Sequence, residues 1–203
     1  MQIDSSSDKN LEDLWLLVLA DDPEALRQIH RQLFGRLYQY ASNLLSDDLQ
    51  ADDAVQEIFI KAWIQRSRIG ALKNLNAYFF TLMRRYCLNV IRNKKVADSR
   101  LLRFQKTEPV ITFSAEDILV EKEFADGVRE KINDLLNGLP PRQKEVIYLK
   151  YFNDMNNAEI AEVLEIQYQS VLNLSHKAIT YLKANLKFRS LILLAMTFGY
   201  GDQ

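Results

Sequence analysis

Apolar residues recur at three- and four-residue intervals through two blocks of the chain, about 11–95 and 115–194, the spacing of helices that bury one face. Leu26, Ile29, Leu33, Leu37, Tyr40 and Leu44 form one such row. Asp21-Asp22-Pro23-Glu24 precedes it and offers a capping carboxylate followed by a proline for the first helical position. Ser46-Asp47-Asp48 ends that helix and opens the next. There Ala54, Ile58 and Ala62 share a face with Val55 and Phe59, and Asp52, Asp53, Gln56 and Glu57 lie largely off it. The basic stretch RSRIGALKN is expected to be a loop, followed by a helix over about 76–93 rich in both aromatic and basic residues.

In the second block, a helix through Phe124, Val128, Ile132 and Leu136 is broken by Gly138-Leu139-Pro140-Pro141, which opens the helix RQKEVIYLKYF. A polar turn at 153–157 leads to AEIAEVL, and a short break at 165–167 leads to YQSVLNLSHKAITYLKANL. A helix of about eight residues, a tight turn and a longer helix make a helix-turn-helix. Its expected internal core is Ile160, Ala161, Leu164, Val171 and Leu174. The segment between the blocks has no sustained period and reads as a linker that has room for a short helix.

The fold class that follows is all-α: two helical domains joined by a flexible linker, the second a helix-turn-helix. The expected boundaries are 10–96, a linker over 97–114, and 115–203, which ends in the apolar tail FRSLILLAMTFGYG. Glycines and prolines are few, at six and four, and no run of alternating β-branched residues is present. With 48% hydrophobic and 26% charged residues, the composition argues against wholesale disorder.

The remaining chemistry is mostly excluded. Cys87 has no partner for a disulfide, and with only His30 and His176 beside it no Cys/His metal cluster can form. The polar, acidic start MQIDSSSDKN is unlike a signal peptide. Apolar runs such as Leu191 to Thr197 are far short of the ~20 residues that cross a bilayer. No membrane span is expected, and a cytoplasmic location is. No nucleophile with a base, phosphate loop or metal-binding helix motif is recognisable, so neither an enzyme nor a cofactor is expected.

The net charge of −1 hides a strong asymmetry. Residues 61–106 hold twelve basic side chains and one acidic, Asp98, whereas residues 1–60 hold four basic and twelve acidic. A segment of +11 in a near-neutral chain has the electrostatics of a polyanion binder.

The segments "DDAVQEIFIKAW" and "LPPRQKEVIYLKYFNDMNNAEIAEVLEIQYQSVLNLSHKAITYLK", in this order, resemble the two domains of extracytoplasmic-function RNA polymerase sigma factors. The resemblance runs from about Phe34 to Lys95 and again through the helix-turn-helix, roughly two thirds of the chain. It implies a subunit that binds core RNA polymerase, recognises promoter DNA, opens the duplex and starts transcription. The first segment then docks on the polymerase through Asp52, Asp53, Gln56, Glu57, Phe59, Ile60 and Trp63, aromatic anchors in a carboxylate-rich rim. Minus-ten DNA falls to Arg66, Arg68, Lys73, Asn74, Asn76, Tyr78, Arg84, Arg85, Arg92, Lys94 and Lys95, since opening a duplex needs a cationic track and aromatic or polar capture of an unstacked base. Phe80 and Tyr86 are further candidates for the aromatic part. Tyr78, Arg85 and Asn89 depart from the Trp, Asn and Asp that family members commonly carry there.

Upstream DNA falls to Tyr168, Gln169, Ser170, Asn173, His176 and Lys177, at the start of the recognition helix. Relatives often have Arg or Lys within the run that here reads SVLNLSH, so the electrostatic share of upstream binding is expected to be weak, or to need help from another DNA-bound recruiting factor. An anti-sigma factor is a further partner that the resemblance suggests. The competing reading is a stand-alone helix-turn-helix transcription regulator, since the second segment also resembles the helix-turn-helix of response regulators.

Overall fold

The computed structural model describes residues 10–98, 110–113 and 126–185, without the side chains of 95–98 and 126–129. These residues form helices, with no strand among them. The chain divides into two compact units at Val90–Ile91.

The first unit is built from α1 (Leu11–Leu19), α2 (Pro23–Leu45), α3 (Asp48–Ile69) and the start of α4 (Leu75–Asp98). Local chemistry sets the helix ends. Asp22 caps α2 by accepting from the Glu24 and Ala25 amides at 2.8 and 3.3 Å, with Pro23 in the first turn. Asp47 caps α3 by accepting from the Gln50 amide at 3.1 Å. Between them Ser46 closes α2 in the left-handed region, φ 53°. The predicted row on α2 is buried from Ile29 through Leu33, Leu37 and Tyr40 to Leu44. It meets the face of α3 that carries Ala54, Val55, Ile58, Phe59 and Ala62.

One expectation is corrected. The stretch from Arg66 is not a loop, because α3 runs on to Ile69 and leaves the helix at Gly70. Gly70 has φ 70° and ψ −163°, a region open essentially to glycine alone. The connection is therefore confined to residues 70–74, and Asn74 caps α4 by accepting from the Ala77 amide at 2.8 Å.

The second unit contains α5 (Asp126–Asn137), α6 (Pro141–Tyr151), α7 (Asn157–Leu164) and α8 (Tyr168–Asn185). Residues 110–113, at the end of the stretch expected to be linker, pack into it instead. The Phe113 amide donates to Asn137 Oδ1 at 3.0 Å, Asn137 Nδ2 donates to the Phe113 carbonyl at 2.9 Å, and the Phe113 ring meets Tyr148 and Phe152. A reciprocal capping box starts α7: Asn156 accepts from the Ala158 and Glu159 amides, and Glu159 accepts from the Asn156 amide. Glu165 then turns the chain at φ 55° into α8. Ile160, Leu164 and Val171 are buried as expected; Ala161 and Leu174 are only half-buried, and Val163, Ala178 and Leu182 complete the core. The apolar tail lies outside the described residues, as do residues 99–109 of the linker.

Candidate protein and nucleic-acid interfaces

Helical geometry divides α3 into two faces. Asp53, Gln56, Glu57, Ile60 and Ile64 are exposed, each three or four residues from another of the set, with Leu49 one turn earlier. Three of these are large and apolar: Leu49 is 82% exposed, Ile60 54% and Ile64 68%. A stripe of exposed leucine and isoleucines interleaved with carboxylates has no packing role in its own unit. It suits a partner protein.

Sequence reasoning named Asp53, Gln56, Glu57 and Ile60 of this stripe and missed Leu49 and Ile64. Their signal was available, since both continue the spacing of the residues off the apolar face. It also named three residues that the stripe does not present, Phe59, Trp63 and Asp52. Phe59 is buried, stacked on Phe79 with ring centroids 4.6 Å apart and set edge-on to His30 at 4.8 Å. It is therefore a core residue and no anchor. Trp63 is half-buried beneath the Arg66 guanidinium, which lies 4.1 Å from its ring. Asp52 is half-buried and accepts from Gln56 Nε2 at 2.7 Å.

His30 sits behind this face, between Phe34 and Phe59. Burial lowers its pKa below the ordinary 6.5, and the nearby Asp52 carboxylate partly opposes the shift.

The basic residues are distributed differently. Tyr78, Arg85, Asn89 and Arg92 recur on one line of α4, with Tyr78 half-buried and the other three exposed. Asn89 belongs to this line although it was not named as a contact. Burial raises the Tyr78 pKa, and the Arg85 charge counteracts that rise, which places the two groups within electrostatic reach. Lys73, in the connection, and Arg68, on the last turn of α3, are exposed, as is Lys94; Arg84 is half-buried. The Lys95 side chain lies outside the described residues.

Some named groups are already engaged. Arg66 donates through Nε to Asp21 at 2.7 Å, pairs with it a second time through Nη2, and donates through Nη1 to the Trp63 carbonyl at 2.6 Å. Asn74 is the α4 cap, and Asn76 is half-buried, its Oδ1 without a hydrogen-bond partner among the described residues. Phe80 is fully buried against Tyr40 at 5.3 Å, with Arg36 over its ring, so it cannot stack on a base. Tyr86 stays half-exposed under Lys61, 5.2 Å from the ring centroid.

On α8 the named residues do share an outward side. Gln169, Asn173, His176 and Lys177 are exposed at helical spacing, Tyr168 is 52% exposed and Ser170 is half-buried. Gln169 Nε2 donates to Asn173 Oδ1 at 3.4 Å. Lys177 is the first cation of this helix, two turns in. Amide and hydroxyl groups therefore dominate the end that would enter a groove. No group of acidic, His and Cys residues suited to a metal ion occurs among the described residues, and none of their helices is long and apolar enough to cross a membrane.

Comparison with known proteins accounts for both units. Residues 29–96 match the family model for sigma-70 region 2, and residues 129–181 match that for sigma-70 region 4. The chain is 24% identical over 82% of its length to the ECF RNA polymerase sigma factor SigW of Bacillus subtilis, covering 91% of that protein. It is also 24% identical, over 76% of its length and 78% of the relative's, to the ECF RNA polymerase sigma factor SigK of Mycolicibacterium vanbaalenii. Among solved structures it resembles CnrH in complex with the cytosolic domain of CnrY, with a TM-score of 0.59 and 18% identity over 85% of this chain and 94% of that one. It also resembles the sigma factor RpoE in complex with the anti-sigma factor NepR from Bartonella quintana, with a TM-score of 0.57 and 22% identity over 80% and 96%.

Proposed function

We propose that this chain, which belongs to the extracytoplasmic-function sigma factors, docks on core RNA polymerase through the outer stripe of α3 and handles opened promoter DNA with the connection 70–74 and the outer line of α4. Membership of the family makes it a sigma factor that directs promoter recognition. The observation that carries the proposal is the division of the first unit's surface: Asp53, Gln56, Glu57, Ile60 and Ile64 on α3, against Tyr78, Arg85 and Asn89 on α4.

The two surfaces ask for different partners. Carboxylates around isoleucines fit a basic, partly apolar protein groove. Arginines in line with a half-buried tyrosine fit a phosphate track with a base stacked beside it. Lys73 and Arg68 extend the cationic side toward the connection. In the second unit Gln169, Asn173 and His176 read base edges of the upstream element, and Lys177 holds a phosphate. With that single early cation the upstream contact is weak by itself. Polymerase, or another DNA-bound factor, supplies the rest of the affinity.

The CnrH and RpoE structures are complexes with CnrY and with the anti-sigma factor NepR. An anti-sigma factor is accordingly the regulator we propose for this chain. A cytoplasmic site of action follows from the same reading.

Run-off transcription with a bacterial core polymerase and promoter fragments tests the proposal. The expected result is transcription from discrete start sites that requires this chain and is lost in an Ile60→Asp, Ile64→Asp double variant. Specific DNA binding by the chain alone, without a stable complex with core polymerase in pull-down, favours a stand-alone regulator and overturns the docking assignment.

A further inference from the structure

Both ends of the connection 70–74 are tied to one helix that belongs to neither of its neighbours. The indole Nε1 of Trp15, on α1, donates to the Gly70 carbonyl at 2.9 Å. One turn earlier on α1, the Glu12 carboxylate accepts from the Leu75 amide at 3.2 Å. Trp15 is wholly buried, with Phe79 edge-on to it and Tyr78 at 6.3 Å. Beyond the end of α1, Asp21 accepts the left-handed conformation at φ 66° and pairs with Arg66.

Each tie has a physical reason to matter. Gly70 has left the helical geometry, so its carbonyl lacks a helical partner and Trp15 provides one. The Leu75 amide is one of the donors that the start of α4 leaves open, and Glu12 satisfies it with a charge that also suits a helix N-terminus. Asn74 satisfies a second such donor, at Ala77. The connection is thereby held at entry, at exit and at its last residue, with Lys73 and Ala71 exposed between. A segment of this kind presents its polar groups in one arrangement before any ligand arrives.

We propose that Trp15 and Glu12 are positioning residues for base selection: α1 fixes the conformation of residues 70–74 and so sets which base of the opened strand they accept. The inference rests on the reading of this connection as a contact to opened DNA. In it α1 touches no nucleic acid and acts only through Gly70 and Leu75.

The test uses the full chain bound to a bacterial core polymerase. The probe is a pool of promoter-length duplexes with an unpaired stretch randomised on one strand. Three quantities are compared: base preference at each unpaired position among retained molecules, total DNA retained, and affinity for core polymerase. Trp15→Phe removes the indole donor while keeping an aromatic ring, Glu12→Ala removes the acceptor, and Glu12→Gln restores an acceptor oxygen.

Trp15→Phe and Glu12→Ala are expected to flatten the preference at one or two positions by roughly fivefold, the weight of one hydrogen bond. Total retention and core affinity stay within about twofold, below the effect of a single hydrogen bond, and Glu12→Gln recovers the wild-type preference. Variants as selective as wild type overturn the inference. So does a loss of core binding in step with selectivity, or failure of Glu12→Gln to rescue, since either assigns α1 a merely structural part. A wild-type chain that binds core polymerase without base preference removes the underlying reading and the inference with it.

Discussion

The ring of Phe59 lies stacked on that of Phe79, centroids 4.6 Å apart and planes at 27°, and so joins α3 to α4 through the core. Its neighbour Ile60 points the other way and is half-exposed. Substitutions at these adjacent positions therefore separate stability from docking. Phe59→Ala is expected to cost about 3–5 kcal/mol in urea denaturation, the range for emptying an aromatic core site. Ile60→Asp and Ile64→Asp leave the denaturation midpoint nearly unchanged and weaken binding to core polymerase by roughly tenfold or more each, as for apolar anchors at a protein interface. Equal losses of stability in all three variants contradict the division of α3 into two faces.

Gly70→Ala isolates backbone strain from crowding. A Cβ at this position meets nothing within 4 Å, so its cost comes from φ 70° alone. The expected destabilisation is about 1–3 kcal/mol, read as a lower denaturation midpoint.

Ser46 and Glu165 occupy left-handed positions at the ends of α2 and α7. Glycine relieves the clash of Cβ with the following carbonyl, at about 1 kcal/mol. Ser46→Gly is expected to raise the unfolding midpoint by that amount. Glu165 makes further interactions, so Glu165→Gly yields a smaller gain. A loss of stability in Ser46→Gly would show that its side chain outweighs the strain.

His30 gives the first unit a pH dependence of definite sign. Its folded pKa lies below the ordinary 6.5 because burial disfavours the imidazolium. The unfolded chain therefore binds the proton first as pH falls, and stability is lost below about 6.5 until the folded group also titrates. Urea midpoints measured between pH 7.5 and 5.5 should fall for wild type. The slope should be shallower for His30→Phe, and an unchanged slope assigns the effect to other groups.

Lys177 is the first cation of α8, two turns into the helix. For holoenzyme binding to duplex that contains the upstream element, Lys177→Ala is expected to reduce the slope of log affinity against log salt by about one ion. Gln169→Ala is expected to relax preference at one base pair without changing that slope. Without polymerase, the chain is expected to retain upstream DNA only at low salt. Tight, sequence-specific retention by the chain alone at physiological salt contradicts the weak upstream contact.

What the sequence made legible is what short-range chemistry determines. Asp22-Pro23 marks the start of α2 and the polar turn at 153–157 that of α7, so α2 and the helix-turn-helix are readable from spacing and turn residues. The charge asymmetry likewise located the basic helix. Arg66-Ser67-Arg68 suggests solvent and hence a loop, whereas the stop of α3 is Gly70. Phe59 was placed on both the core face and the docking face, and periodicity alone does not choose between them. The ties of Trp15 to Gly70 and of Glu12 to Leu75 span 55 and 63 residues. No local pattern announces such pairs, and only the packing of α1 brings them together.

The double tether has a consequence for how promoter preference could be redesigned. With Gly70 and Leu75 both anchored on α1, inserted residues would have to bulge into the space that an incoming base is proposed to fill. New preferences are thus open to changes of side chain at positions 71–73, and closed to changes of length. A library that varies those three residues should yield shifted promoters, while one that varies their number should yield inactive chains.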